Sequence, residues 1–239
     1  MSLFRSAFFF KSVASLADAP ASVGEIAFVG RSNTGKSSAI NALTGSQLAF
    51  VSKTPGRTRL INYYALGAER FIVDLPGYGY ARVPDATRAP WEKLLGGYLR
   101  MRAPLRGLAL VMDVRHALTE LDQRMLGWFH PTGKPVHVLL TKADMLSREA
   151  AQKILRRVEA ELAALAPQAS VQLFSSPKRS GLEQAAAVFR AWLDASAPGS
   201  PGAGPGREPH ENPRQDRGWR NKSPRAKRGN QPGAKCLKV

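Results

Sequence analysis

The sequence predicts an α/β fold: a mostly parallel six-stranded sheet with one antiparallel edge strand and helices on both faces. Three observations carry this expectation. Short Val/Ile/Leu-rich runs alternate with helix-like segments from residue 24 to residue 194. Those runs are apolar throughout rather than every second residue, the pattern of strands buried on both faces. One pair, LINYYAL (60–66) and RFIVDLPG (70–77), turns around Gly67 and reads as a hairpin, which makes one strand run backwards.

Taken in order, GEIAFVG (24–30) is the first buried strand, and SSAINALTG (37–45) is the helix after it, with Gly45 as its stop. The hairpin follows. ATRAPWEKLLGGYLRMR (86–102) has helical spacing weakened by Gly96 and Gly97. GLALVMDV (107–114) is a strand, ELDQRMLGWF (120–129) a helix, and PVHVLLTKAD (135–144) a strand with a polar end. SREAAQKILRRVEAELAAL (147–165) is a long helix capped by Ser147, with Ile154, Leu155, Val158, Leu162 and Leu165 as its apolar stripe. SVQLFSS (170–176) is the last strand and GLEQAAAVFRAWLDA (181–195) the last helix. In open sheets of this kind, ligands bind beyond the carboxyl ends of the strands.

At 239 residues the chain suits one domain with an appendage. We divide it into a lead-in (1–23), a globular domain (24–194) and a basic tail (195–239), which we expect to be disordered. The tail holds 7 Pro and 7 Gly, and its 10 Lys/Arg against 3 acids account for +7 of the net +17. It has too little apolar area to offset the entropy of ordering it. Such a charge favours a polyanionic partner. The single cysteine, Cys236, excludes a disulfide framework, and the four histidines have no metal-ligand spacing. The aromatic run between Arg5 and Lys11 is too short for a signal-peptide core, and no apolar stretch reaches membrane-spanning length. A cytoplasmic monomer without a membrane partner is the expectation.

Four motifs carry chemistry. Gly30-Arg31-Ser32-Asn33-Thr34-Gly35-Lys36-Ser37 fits G-x-x-x-x-G-K-[ST], with a strand before it and a helix after. Its glycines let the backbone wrap phosphates, its amides and the helix N-terminus supply positive potential, Lys36 reaches the β/γ-phosphates and the Ser37 hydroxyl holds Mg²⁺. Asp74-Leu75-Pro76-Gly77 ends a strand; its carboxylate suits Mg²⁺ through water, and the Gly77 amide suits a γ-phosphate. Thr141-Lys142-Ala143-Asp144 resembles the base-recognition motif of GTP-binding proteins, with Asp144 accepting from guanine N1–H and N2–H₂ and the Lys142 stem over the base. Phe174-Ser175-Ser176 ends the last strand and by itself reads as a helix cap. Singly, each motif has an ordinary explanation; in this order, each at a strand end, they read together as a site for GTP or GDP. Between the first two lies SKTPGRTR (52–59), read as a mobile loop, where Thr58 is the candidate to complete the Mg²⁺ shell and Thr54 its competitor.

In FVGRSNTGKSS, SKTPGRTRLINYY, DLPGYGYARV, LLTKAD and FSSPKRSGLEQ, the chain resembles the EngB (YihA/YsxC) family of bacterial ribosome-biogenesis GTP-binding proteins over roughly residues 8–194. The resemblance implies a Ras-like P-loop G-domain, Mg²⁺-dependent GTP binding, action in assembly of the large ribosomal subunit, and a link to cell division and septation. By position it implies that Ser37 and Thr58 ligate the metal. Gly30–Ser37, Gly56, Arg57, Thr58, Arg59, Leu60, Asp74–Gly77, Thr141–Asp144, Phe174, Ser175 and Ser176 would contact the nucleotide, the last three turning backbone amides to guanine O6. Lys36, Thr58, Asp74 and Gly77 form the hydrolytic set. The long tail departs from the family pattern, so its role is not implied.

Many G-domains carry Gln after D-x-x-G, whereas this chain has Tyr78, which lacks the side-chain amide that orients water. Slow intrinsic hydrolysis, stimulated by a ribosomal partner, is expected. Tyr78, Tyr80 and Arg82 either face that partner or pack locally. Asn33 either completes a loop hydrogen bond or, as in related potassium-using proteins, helps to hold K⁺. Three rivals remain: a GTPase of the Era or tRNA-modification type, an RNA-binding module with a merely structural loop, and an ATPase. The first needs a further domain that the tail cannot supply. The other two predict, respectively, no exchangeable nucleotide and no dependence of base preference on Asp144.

Overall fold

Strand β2 (Gly24–Gly30) runs through the middle of the molecule and is buried along its whole length. The computed structural model describes residues 2–49, 60–78 and 94–195, and these arrange around β2 in chain order. Helix α1 (Ser2–Arg5) and strand β1 (Phe8–Val13) precede it. Then come α2 (Lys36–Thr44), β3 (Ile61–Gly67), β4 (Arg70–Asp74) and a helix over residues 94–101 (α3). Strand β5 (Leu105–Asp113), α4 (Glu120–Phe129), β6 (Val136–Thr141), α5 (Arg148–Leu165), β7 (Ala169–Leu173) and α6 (Leu182–Asp194) complete the series.

The fold class is the expected one. The sheet has seven strands rather than six, in the order β1-β3-β4-β2-β5-β6-β7. β3 is antiparallel to both of its neighbours, and every other pair is parallel. The reversed strand is therefore one in from the edge. The extra edge strand, β1, comes from the residues read as a lead-in. Three consecutive phenylalanines do not show the alternation that marks a half-buried strand. Phe8, Phe9 and Phe10 are each about half exposed because β1 has a neighbour on one side only, and its register slips between Phe9 and Lys11. Even so, Phe9 packs edge-on against Tyr64, and Phe10 against Phe71.

Two apolar layers sandwich the sheet. One holds Leu95, Tyr98 and Leu99 of α3, Met125, Leu126 and Phe129 of α4, and Val158 and Leu162 of α5. The other holds Phe4, Ile40 and Leu43 from α1 and α2, and Leu182, Phe189 and Leu193 from α6. Each fully buried large side chain contributes about 1.5–3 kcal/mol relative to exposure. Gly107 on β5 makes the second layer possible, because a Cβ there would lie 2.4 Å from the Trp192 ring of α6.

The helix signals act as read. Ser147 caps α5 by accepting from the Ala150 amide, and Gly45 ends α2 in the left-handed region. Gly96 and Gly97 do not break α3; Gly97 gives close passage to Leu16. At the amino end of the sheet, fully buried Glu25 accepts from Tyr98 Oη at 2.6 Å and pairs with Arg102. This buried carboxylate, satisfied on every side, fixes the end of α3 to β2.

Candidate functional site

At the opposite, carboxyl end of the sheet the predicted motifs meet. Gly30 leaves β2 where a Cβ would lie 2.5 Å from the Val111 carbonyl and 2.8 Å from Thr34 Oγ1, so only glycine fits. The loop turns through Asn33 (φ 64°) and Gly35 (φ 91°), and Lys36 and Ser37 open α2. It is held from below: the Thr34 hydroxyl donates to the Arg31 carbonyl at 2.9 Å, and the Thr141 hydroxyl donates to the carbonyls of Thr34 and Met112. Thr141 ends β6, so the base motif clamps the phosphate motif directly.

Lys142 adds a second clamp. Its ammonium donates to the Asn33 carbonyl at 2.7 Å and pairs with Asp113 Oδ2 at 2.9 Å. Asp113 ends β5 and also takes Arg115 at 2.7 Å. Burial alone would raise its carboxyl; the hydrogen bonds from Arg115 and Lys142 outweigh that and hold it well below the usual carboxylate range. Sequence reading missed Asp113, although its signal matches that of Asp74, an aspartate closing an apolar strand run.

Asp144 stands exposed on the turn after β6, where one carboxylate oxygen accepts from the Ser175 hydroxyl. Ser175 in turn accepts from the Lys178 amide at 3.2 Å, and the Ala143 amide donates to the Phe174 carbonyl at 3.2 Å. The Phe174–Ser176 segment is thereby tied to the Thr141–Asp144 turn; Phe174 itself is a core residue, and Ser176 is half-buried. Gln172 of β7 supports the same loop, donating to the Gly181 carbonyl at 2.7 Å while accepting from His137 at 2.9 Å. A cleft of about 690 Å³ opens beside it between Ser38, Asn41 and Gln47 on one wall and Ser176, Pro177 and Arg179 on the other.

Asp74 is buried and bonds the Lys36 ammonium. The Leu75 amide donates to the Phe28 carbonyl at 3.0 Å, so the segment Leu75, Pro76, Gly77 runs on beside β2 into the phosphate loop. Tyr78 pairs with Arg31 as an isolated parallel bridge. Its side chain is 4 % exposed and its hydroxyl donates to Asp122 at 2.6 Å, so Tyr78 packs locally rather than toward a partner. Leu60 is exposed at the start of β3. Gly56, Arg57, Thr58 and Arg59, with Thr54, Tyr80 and Arg82, lie outside the described residues.

Sequence comparison adds independent findings. The family model for the 50S ribosome-binding GTPase matches residues 25–142. A protein of Methylobacillus flagellatus named probable GTP-binding protein EngB is 56 % identical over 195 residues, covering 81 % of this chain and 94 % of that one. Its namesake in Neisseria meningitidis is 55 % identical over 199 residues, covering 82 % and 95 %. Among solved structures, a probable GTP-binding protein engB superposes with a TM-score of 0.58 at 20 % identity, covering 71 % of this chain and 98 % of that one. Aquifex aeolicus Era bound to GDP·AlF₄⁻ gives 0.59 at 21 % identity, covering 76 % and 60 %. At those identities the structures speak to the fold alone.

Proposed function

The chain belongs to the EngB family of GTP-binding proteins, and from that premise we propose that it is a slow GTPase switch acting in assembly of the large ribosomal subunit. The observation that supports the reading most is the clamping of one phosphate loop by the base motif. Thr141 and Lys142 hold the carbonyls of Thr34 and Asn33, and Asp144 stands beside them, exposed and fixed by Ser175. A site so joined recognises base and phosphate as one ligand. The carboxylate accepts from the two guanine donors that adenine lacks, so it selects GTP and GDP over ATP.

Among the described residues no cluster of His, Cys, Asp and Glu forms a metal cage. Mg²⁺ needs no such cage, being held by few protein oxygens together with phosphates and water. The Ser37 hydroxyl in the first turn of α2 and the nearby Asp74 carboxylate are hard oxygen donors of the fitting kind. Ser37 and Asp74, with Thr58 as the proposed further ligand, would hold Mg²⁺, which would neutralise phosphate charge. The chain's own part is positional: loop amides and the α2 N-terminus cradle the phosphates, Lys36 moves from Asp74 to them, and the Gly77 amide meets the γ-phosphate. Tyr78, which lacks a side-chain amide, follows Gly77, and on this ground the proposal includes a low intrinsic rate that the ribosomal partner raises. The Asn33 carbonyl is already used by Lys142; a potassium role for its side chain requires faster turnover in KCl than in NaCl.

The proposed partner is rRNA or protein of the large subunit, in the cytoplasm; the proposed link to cell division and septation rests on the family resemblance. No described helix is long and apolar enough to cross a membrane. Co-sedimentation of the full chain with purified large ribosomal subunits tests the proposal. Retention with a non-hydrolysable GTP analogue and release with GDP is the expected result; equal retention in GTP analogue, GDP and no nucleotide would overturn it.

A further inference from the structure

Behind the phosphate loop lies a buried polar cluster that the GTPase reading leaves unused. Asp122, in the first turn of α4, is fully buried. Its Oδ2 accepts from the Thr119 amide at 2.9 Å, one half of a capping box, and also from the Thr119 hydroxyl at 2.8 Å. Its Oδ1 accepts from the Tyr78 hydroxyl at 2.6 Å. Arg31 of the phosphate loop holds its Nε 3.5 Å from the same oxygen, an ion pair without a hydrogen bond, while its Nη2 donates to the His116 carbonyl at 2.8 Å. Thus α4, the phosphate loop and the residue after Gly77 share one carboxylate. Burial, and then the charge of Asp122, raise the Tyr78 hydroxyl far above its ordinary value, so it stays a donor.

We infer that the Tyr78–Asp122 contact is a latch that favours the diphosphate over the triphosphate, with Asp122 a positioning residue that acts through Tyr78. A set of backbone bonds reinforces the hydroxyl contact and ties Tyr78 to the phosphate loop. The Ser32 amide, one of the phosphate-loop donors, is bonded to the Tyr78 carbonyl at 3.4 Å, and the Tyr78 amide to the Gly30 carbonyl at 3.2 Å. On the proposed reading the Gly77 amide turns to a γ-phosphate, and Gly77 cannot move far while its neighbour is fixed at backbone and hydroxyl alike. The latch holds this arrangement together, and a ligand shifts the equilibrium only by its differential affinity for the two states.

This rests on the GTP-binding reading, and the test separates the two. Dissociation constants of full-length protein for fluorescent GDP and a fluorescent non-hydrolysable GTP analogue are measured with Mg²⁺ for wild type, Tyr78→Phe, Asp122→Asn and the double variant. Tyr78→Phe keeps the ring and removes only the donor. Loss of a hydrogen bond to a charged group should lower the ratio of analogue to GDP dissociation constants by about tenfold or more. The double variant should fall little further than Tyr78→Phe alone. Preference for GDP over ADP, read at Asp144, should not change. A ratio that is unchanged, or that moves toward GDP, overturns the latch and leaves the GTPase reading standing. Absence of guanine-nucleotide binding by wild type overturns both. Should Asp122→Asn fail to fold, Tyr78→Phe alone decides.

Discussion

Asp144 and Asp113 put the same group to opposite uses. Asp113 is nearly buried and saturated by Arg115 and Lys142, so it orders the site. Asp144 is exposed, is steadied at one oxygen by Ser175, and faces outward for a ligand. Asp144→Asn should therefore weaken GDP binding about 100-fold, two charge-assisted hydrogen bonds being removed, with little change in melting temperature; fluorescence titration and calorimetry check both. Asp113→Asn should weaken binding less and lower stability more. His137 is a residue of the second kind: Ser170 at 2.7 Å and Gln172 at 2.9 Å hold its ring, with Phe189 and Trp192 packed edge-on. Burial lowers its pKa in the fold. Its contribution is thus complete above the unfolded value of about 6.5 and is lost as pH falls below it. Wild type should lose more melting temperature between pH 7.5 and pH 5.5, as chosen assay points, than His137→Gln, with GDP affinity following because Gln172 braces the guanine loop.

At the scale of elements, what was legible is what local pattern specifies. β2 and α4 occupy the predicted residues, and α2, β3 and α5 lie within one residue of prediction, because buried parallel strands and capped amphipathic helices announce themselves in composition and spacing. The β3–β4 hairpin was readable from Gly67, but its turn also sets Ala68 and Glu69 at positive φ, which their side chains do not advertise. β1 was not legible, since its strand character comes from pairing with β3 rather than from its own alternation. The site motifs were legible as phosphate, metal and base elements; the ties among them, Thr141 to Thr34, Lys142 to Asp113 and Tyr78 to Asp122, join residues far apart in sequence and appear only in three dimensions. The N-terminal elements matter to stability: Phe4 of α1 is fully buried beside α2. Phe4→Ala should cost about 3–5 kcal/mol by urea unfolding.

The whole molecule is strongly cationic, and the residues beyond Ala195 carry +7 of its +17. If that charge follows phosphates on the large subunit, binding should weaken steeply with salt. A chain ended at Ala195 should show a shallower log–log slope, by about 0.7 for each phosphate of single-stranded RNA that the tail would otherwise neutralise. Identical slopes for the two chains would separate the tail from the partner. The sheet order has a different consequence, for biosynthesis. β1 is made first, yet its partners Ile61 to Ala65 belong to a later strand, and the centre of the sheet is threaded between them in sequence. A nascent chain thus carries Phe8–Phe10 with an open backbone edge until the hairpin has left the exit tunnel, and that interval is when a chaperone or a neighbouring polypeptide competes for its most aromatic stretch.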